Sequence, residues 1–323
     1  MASVIHPPSF PSTSPPDPTQ NGQPSVPPPG LRTQTLKHLV QSSVYPFNEL
    51  ADEYFYNVSK TDAQAVHAWA KRAGTVIAGS IVYVAPGKDP KFFADVYEFL
   101  SPSKDDGERA REEVRGLCVP GVGSSVLGAV GLARDVCIAR GIPVAGVVAG
   151  YGLRELLNEA VGGALYFRET NQLEFALENT RRGLSSLVAG LGLLPMIETV
   201  DSLGGGPTIQ SVKALLRDGR LPHLEFLVGH SKGNMVLSGA LGELFCEKAP
   251  ITQLDQVTIV LLSAICALPK VGKKQVQIIG ALDPLGWANS RLGVAHKVVL
   301  NAAHHLNKEI PLYLDAVAEL KAI

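Results

Sequence analysis

The sequence predicts an α/β protein, with a mostly parallel sheet flanked by helices. Three observations carry that expectation. From Val114 onward, apolar and β-branched runs alternate with stretches of helical periodicity. The run Leu224–Val228 enters the turn Gly229-His230-Ser231-Lys232-Gly233, and a helical pattern through Met235, Val236, Leu237, Ala240, Leu241 and Leu244 leaves it. Two later apolar runs each lead into a chemically capable residue, the first into Asp283 and the second into His304 and His305.

Residues 1–30 are mostly Pro, Ser, Gln and Gly, with few large apolar groups. Such a segment buries too little surface to offset its ordering entropy, so a disordered tail is expected. Residues 31–110 are expected to form a mainly helical N-terminal extension. Within it Leu36, Leu39 and Val40, then Ala63, Val66, Trp69 and Ala70, recur at helical spacing. Thr75 to Ala85 reads as a strand, with a helix as the alternative. A further helix is expected to begin at Asp89-Pro90, because proline is tolerated in a first helical turn.

The core is expected over 111–323. Val114 to Val119 reads as a buried strand, and Pro120-Gly121-Val122-Gly123-Ser124-Ser125 as the loop after it. A helix from about Val126 to Arg140 follows, then a strand over Ile142 to Val148. Strands alternating with helices imply right-handed crossovers. Residues 151–206 depart from that rhythm. Leu153, Leu156, Leu157, Ala160 and Val161 give one apolar helical face, and Leu184, Leu187 and Val188 another, between two core strands.

The Gly-x-Ser-x-Gly turn has a mechanical reading. A strand that becomes a helix within a few residues forces the serine into a strained backbone conformation, and glycine two residues to either side leaves room for the close approach. The hydroxyl is then raised at the positive end of a helix. A serine nucleophile needs a base, and the base needs an orienting carboxylate. Ser231, Asp283 and His304 or His305 follow in that chain order. Taken singly, Asp283 is equally a turn former before Pro284, and either histidine a loop residue near a helix start. Their joint occurrence after successive strands favours the catalytic reading.

On these residues the chain resembles the α/β-hydrolase superfamily, over roughly residues 113–320. The resemblance implies an α/β-hydrolase fold with Ser231 as nucleophile, His304 as base and Asp283 as the group that fixes the imidazole. His304 is favoured over His305 because Glu309 and Pro311 stand five and seven residues after it, offsets frequent in such hydrolases. The resemblance also implies an oxyanion hole built from the backbone N–H groups of Val122 and Lys232. From the residues alone, the 120–125 loop is equally a glycine turn that lets strand and helix pack.

The short link between the Val257–Leu262 run and the Val276 run leaves 151–206 as the place for a helical, cap-like insertion; a lid and plain domain packing both stand as readings of it. The Lys232 side chain meets either an anionic substrate group or a nearby carboxylate. Serine at the elbow points to acyl chemistry, so the expected activity is that of a serine hydrolase on an ester or thioester with an apolar portion, esterase-, lipase- or thioesterase-like. No cofactor or metal is required. An acyltransferase, a lyase or a non-catalytic binding scaffold on the same fold is the alternative, since a water-excluding cap can divert an acyl-enzyme.

A different class, dinucleotide binding, rests only on Gly121-x-Gly123 between a strand and a helix. The third glycine, Gly128, is off the expected spacing, and Asp135 lies inside the helix rather than after a second strand.

Composition fits a folded enzyme: 46% of residues are hydrophobic and 18% charged, with a net charge of −1. No basic cluster invites nucleic acid. No run approaches the roughly 18 apolar residues of a membrane span. Cys118, Cys137, Cys246 and Cys266 are widely spaced without a CxxC pair, and the N-terminus lacks the basic and apolar regions of a signal peptide. Buried free thiols and a cytoplasmic location are expected, with the sequon Asn57-Val58-Ser59 accidental.

Overall fold

The computed structural model describes residues 49–73, 78–101, 111–121, 123–149, 207–217, 219–249, 251–291 and 293–323. The expected tail at 1–30, the insertion at 151–206 and Val122 lie outside the described residues.

The architecture is α/β. Eight described strands, β1 (Ile81–Val84), β2 (Lys91–Phe93), β3 (Gly116–Val119), β4 (Val144–Val147), β5 (Phe226–His230), β6 (Thr258–Leu262), β7 (Lys274–Gly280) and β8 (Lys297–Val299), form one sheet in the order β2-β1-β4-β3-β5-β6-β7-β8. The pairs from β4 through β3, β5, β6, β7 and β8 are parallel. β1 is antiparallel to both β2 and β4, so it runs against the rest.

Between and around the strands lie α1 (residues 49–55), α2 (Lys60–Ala73), α3 (Val96–Leu100), α4 (Val126–Arg140), α5 (Pro207–Leu216), α6 (Lys232–Cys246), α7 (Pro284–Asn289) and α8 (Ala316–Lys321). Side chains alternate across each central strand and feed two apolar cores. Leu117, Leu227, Ile259 and Leu261 join Ile209 of α5 and Leu237 and Leu241 of α6 on one face. Cys118, Val228, Val260 and Leu262 join Leu127 and Leu132 of α4 and Leu320 of α8 on the other. α4 is apolar nearly all round because the sheet, α2 and α8 surround it. Ser125 caps its start through a hydrogen bond from the Leu127 N–H, and Gly141 ends it in the left-handed region at φ 67°.

One expectation for the N-terminal part is corrected. No helix begins at Asp89-Pro90: Lys91–Phe93 is the edge strand β2, registered as Ile81↔Phe93 and Val82↔Phe92. A proline just before an edge strand removes a donor the ladder does not need, so the same dipeptide serves either element. The helix is the shorter α3, capped by Asp95, whose carboxylate accepts the Glu98 N–H. β1 falls within the strand expected over Thr75 to Ala85, and β1 and β2 join the same sheet as the strands that follow residue 111. The expected helical character of this part is seen in α1 and in α2, where Val66 is buried and Trp69 stacks on Phe92.

All four cysteines are free; Cys118, Cys137 and Cys266 are buried and Cys246 is exposed, which corrects the expectation of four buried thiols. Among the described residues no helix is long and apolar enough to cross a membrane.

Candidate active site

The parallel strands end along one edge of the sheet, and the chain switches direction there. From β3 it passes to β4 on one side and later returns to β5 on the other, leaving β3 and β5 as neighbours. Such a switch point opens a crevice beyond the carboxyl ends of the strands. The loop after β3 and the turn after β5 both sit at it.

Ser231 follows β5 directly and adopts φ 53° and ψ −122°, a conformation costly for a residue with a side chain, by about 1–3 kcal/mol. Its N–H continues the ladder to the Leu262 carbonyl at 2.9 Å. The flanking glycines are sterically required. A Cβ on Gly233 would lie 2.0 Å from the Val119 carbonyl oxygen and 2.6 Å from that of Pro120, and one on Gly229 would lie 2.3 Å from Asn234 Oδ1. Asn234 ties the turn to the end of β6, donating from Nδ2 to the carbonyls of Leu262 (2.9 Å) and Ala264 (2.8 Å).

Asp283 stands at the N-cap of α7, after β7. Its Oδ1 accepts the Gly286 N–H at 2.6 Å, and both carboxylate oxygens face His304 Nδ1 at 2.8 and 2.9 Å. His304 Nε2 lies 2.9 Å from Ser231 Oγ. A carboxylate only accepts, so the imidazole proton belongs on Nδ1, and Nε2 is left as the acceptor for the serine hydroxyl. All three side chains are buried, at 9% exposure for Ser231, 8% for His304 and 1% for Asp283. His305 turns elsewhere, with Nε2 3.2 Å from the Pro311 carbonyl and its ring against Tyr54.

Of the residues expected at the site, Ser231, Asp283 and His304 are therefore brought into one hydrogen-bonded line. Lys232 is the first residue of α6, directly after the serine. Val122 is outside the described residues, but its neighbour Gly121 lies against the turn: a Cβ there would be 3.3 Å from Ser231 Cβ.

The sequence reading missed a fourth contributor, α1 and the residues just after it. The Asp52 carboxylate accepts the Ser124 hydroxyl and the Ser125 N–H, both at 2.7 Å, and burial pushes its pKa up to about 6. The Phe55 ring meets His304 edge-on at 5.8 Å, and its carbonyl accepts the Leu306 N–H. The Tyr56 hydroxyl is 2.6 Å from the Gly121 nitrogen and 2.8 Å from His230 Nδ1. Asn57 Nδ2, the atom a sequon would glycosylate, donates to Asp135 and to the Leu306 carbonyl. The available signal was the aromatic run Tyr54-Phe55-Tyr56, with Asp52 four residues before Tyr56 on the same helical face.

Asp52 also bears on the dinucleotide alternative. Its carboxylate occupies the start of α4, where a pyrophosphate would lie, and Asp135 is held by Asn57. Among the described residues no group of three or more His, Cys, Asp or Glu side chains could hold a metal ion. No protein-family model matches the chain, and a search of curated proteins finds no relative.

Proposed function

We propose that the protein is a serine hydrolase of the α/β-hydrolase superfamily, cleaving an ester or thioester with an apolar portion through an acyl-enzyme. The observation that carries this reading is the unbroken line Ser231 Oγ, His304 Nε2, His304 Nδ1, Asp283, built on the ends of β5, β7 and β8 around a strained serine.

In the proposed reaction Ser231 Oγ attacks the substrate carbonyl while His304 Nε2 takes its proton. The buried Asp283 carboxylate stabilises the imidazolium that results. The tetrahedral oxyanion is met by backbone N–H groups of Lys232, at the start of α6, and of Val122, in the loop pressed against the serine; each such donor is worth about 2.7–4 kcal/mol. His304 then returns the proton to the departing alkoxide or thiolate as the carbonyl–heteroatom bond breaks. Water, deprotonated by the same nitrogen, cleaves the acyl-enzyme and restores Ser231. Residues 151–206, whose sequence leads to the expectation of an apolar helical insertion, are the proposed cap.

The test is labelling with a fluorophosphonate probe, with Ser231→Ala and His304→Ala as controls, followed by an ester and thioester screen. Labelling mapped to Ser231, lost in both variants, supports the reading. A wild-type protein that takes up no probe and turns over no ester would overturn it.

A further inference from the structure

We propose that Tyr56 is a positioning residue for this reaction, whose single hydroxyl locks the loop after β3 and the backbone of His304 into one hydrogen-bonded chain. The inference rests on the hydrolase reading. It is carried by the geometry of a buried network that joins Gly121, Tyr56, His230 and the His304 carbonyl.

His230, directly before the serine, is buried, and its Nε2 lies 3.0 Å from the His304 carbonyl oxygen. A carbonyl only accepts, so Nε2 carries a proton. Burial, with His304 next in effect, holds the His230 pKa down at about 3, so the ring is neutral and Nδ1 is a bare acceptor. The Tyr56 hydroxyl, 2.8 Å away, is therefore the donor to Nδ1. Its oxygen in turn accepts the Gly121 N–H at 2.6 Å.

The chain runs one way: Gly121 N–H to Tyr56 oxygen, Tyr56 O–H to His230 Nδ1, His230 Nε2–H to the His304 carbonyl. Ser263, held at φ 60° at the end of β6, donates its hydroxyl to the same carbonyl at 3.1 Å.

The consequences fall on both sides of the reacting serine. Gly121 is the residue packed against Ser231 Cβ, and it precedes the proposed oxyanion donor. His304 carries the base. One turn earlier Asp52 grips Ser124 and Ser125, so α1 holds the loop through side chains four residues apart. The Tyr56 hydroxyl bonds to the Gly121 N–H and His230 Nδ1, and Tyr56 is not a catalytic residue in this scheme. It fixes the distance between the groups that are.

The test is Tyr56→Phe, which keeps the ring and its edge contact with His230 but removes the hydroxyl. The rate of fluorophosphonate labelling and kcat on an ester found in the screen are expected to fall by about 10–100-fold, since misplacement near 1 Å costs up to about 10²-fold. KM is expected to change little, and the unfolding temperature to fall by a few degrees, because the Gly121 N–H and His230 Nδ1 lose a buried partner. In parallel, 15N spectra of the wild-type imidazoles are expected to show His230 as the Nε2–H tautomer, with Nδ1 perturbed in Tyr56→Phe.

Wild-type labelling with an unimpaired Tyr56→Phe overturns the role of Tyr56 alone, as does a protonated His230 Nδ1. A wild-type protein that neither takes up the probe nor turns over an ester overturns the hydrolase reading, and the role with it. Should Tyr56→Phe fail to fold, 3-fluorotyrosine at position 56 makes the hydroxyl a stronger donor. The His230 Nδ1 resonance must then move, and one that stays in place overturns the chain.

Discussion

Replacing Gly233 with alanine probes the turn without reference to any substrate. The added Cβ would lie 2.0 Å from the Val119 carbonyl oxygen, whereas real Cβ contacts essentially never fall below 3.0 Å, so about 1 Å must open between α6 and the end of β3. The obstructing atoms are backbone and cannot rotate away. Val119 is also held in register with Gly229, so the displacement strains the β3–β5 ladder or the turn itself. Overpacking of this kind costs about 1–3 kcal/mol, equivalent to a melting temperature about 2–12 °C lower for a domain of this size. A shift near 1 Å of the Gly121 loop relative to Ser231 is expected to lower probe labelling by about 10²-fold. Gly242, later in the same helix, is the control, because a Cβ there meets nothing within 4 Å. Gly242→Ala is expected to raise stability by up to about 1 kcal/mol, from helix propensity alone. Thermal and denaturant unfolding of both variants, with labelling rates, make the assay. A Gly233→Ala protein as stable and reactive as Gly242→Ala would refute the close approach of turn and strand.

Asp283→Asn keeps an oxygen for the Gly286 N–H but no longer compels the His304 proton onto Nδ1; turnover is expected to fall by about 10⁴-fold with little change in unfolding temperature, and substantial residual turnover would remove Asp283 from the mechanism. Burial raises the Asp135 pKa from 3.8 to about 7, so between those values the unfolded chain binds fewer protons and stability falls as pH rises. Asp135→Asn is expected to abolish that loss, up to about 4 kcal/mol at about 1.4 kcal/mol per pH unit; an unchanged pH profile of unfolding refutes it. His230 acts in the opposite sense, because its pKa is lowered: it makes stability fall as pH drops from 6.5 toward about 3. In the native protein one thiol, Cys246, is expected to react with a disulfide reagent, and all four after denaturation; more than one fast native thiol would contradict the burial of the other three.

The parts of the site legible in the sequence are those fixed by local rules. Gly229-His230-Ser231-Lys232-Gly233 is visible because a strand, a tight turn and a helix are each written in adjacent residues. Asp283 and His304 are visible because each closes an apolar run. The choice of His304 over His305 rested on Glu309 and Pro311, and in the structure it is His304 that faces Ser231. β2 was read as a helix because Asp89-Pro90 signals a boundary without saying which element follows. The work of α1 and the residues just after it left only a weak local trace, the run Tyr54-Phe55-Tyr56 with Asp52 on the same face, which does not say what the face will meet. The bonds from this segment to the site span 65 residues from Tyr56 to Gly121, 174 to His230 and 254 between Glu53 and Asn307. Helical periodicity registers which residues share a face, but not that a distant loop will present an unpaired N–H to that face.

The same long range explains why the site depends on the sheet as a whole. Each of its groups leaves a different strand: Gly121 follows β3, Ser231 β5, Ser263 β6, Asp283 β7 and His304 β8. Their relative heights are set by the register Val119↔Gly229, His230↔Leu262 and Gly280↔Val299. Side chains alternate faces along a strand, so a one-residue slip at any pairing would reverse the faces of that strand and break the line from Ser231 to Asp283. Two buried cores, one on each face, hold the register against such slips. What the cores cannot fix is the loops beyond the strand ends. There the structure uses directed hydrogen bonds: Asn234 to the end of β6, Asp52 and Tyr56 to the loop after β3, and His230 and Ser263 to the His304 carbonyl. Apolar burial sets the strands, and buried polar bonds set the loops between them. Substitutions of the second kind are therefore expected to lower reactivity more than stability, whereas Gly233→Ala, at the junction of the two, is expected to lower both.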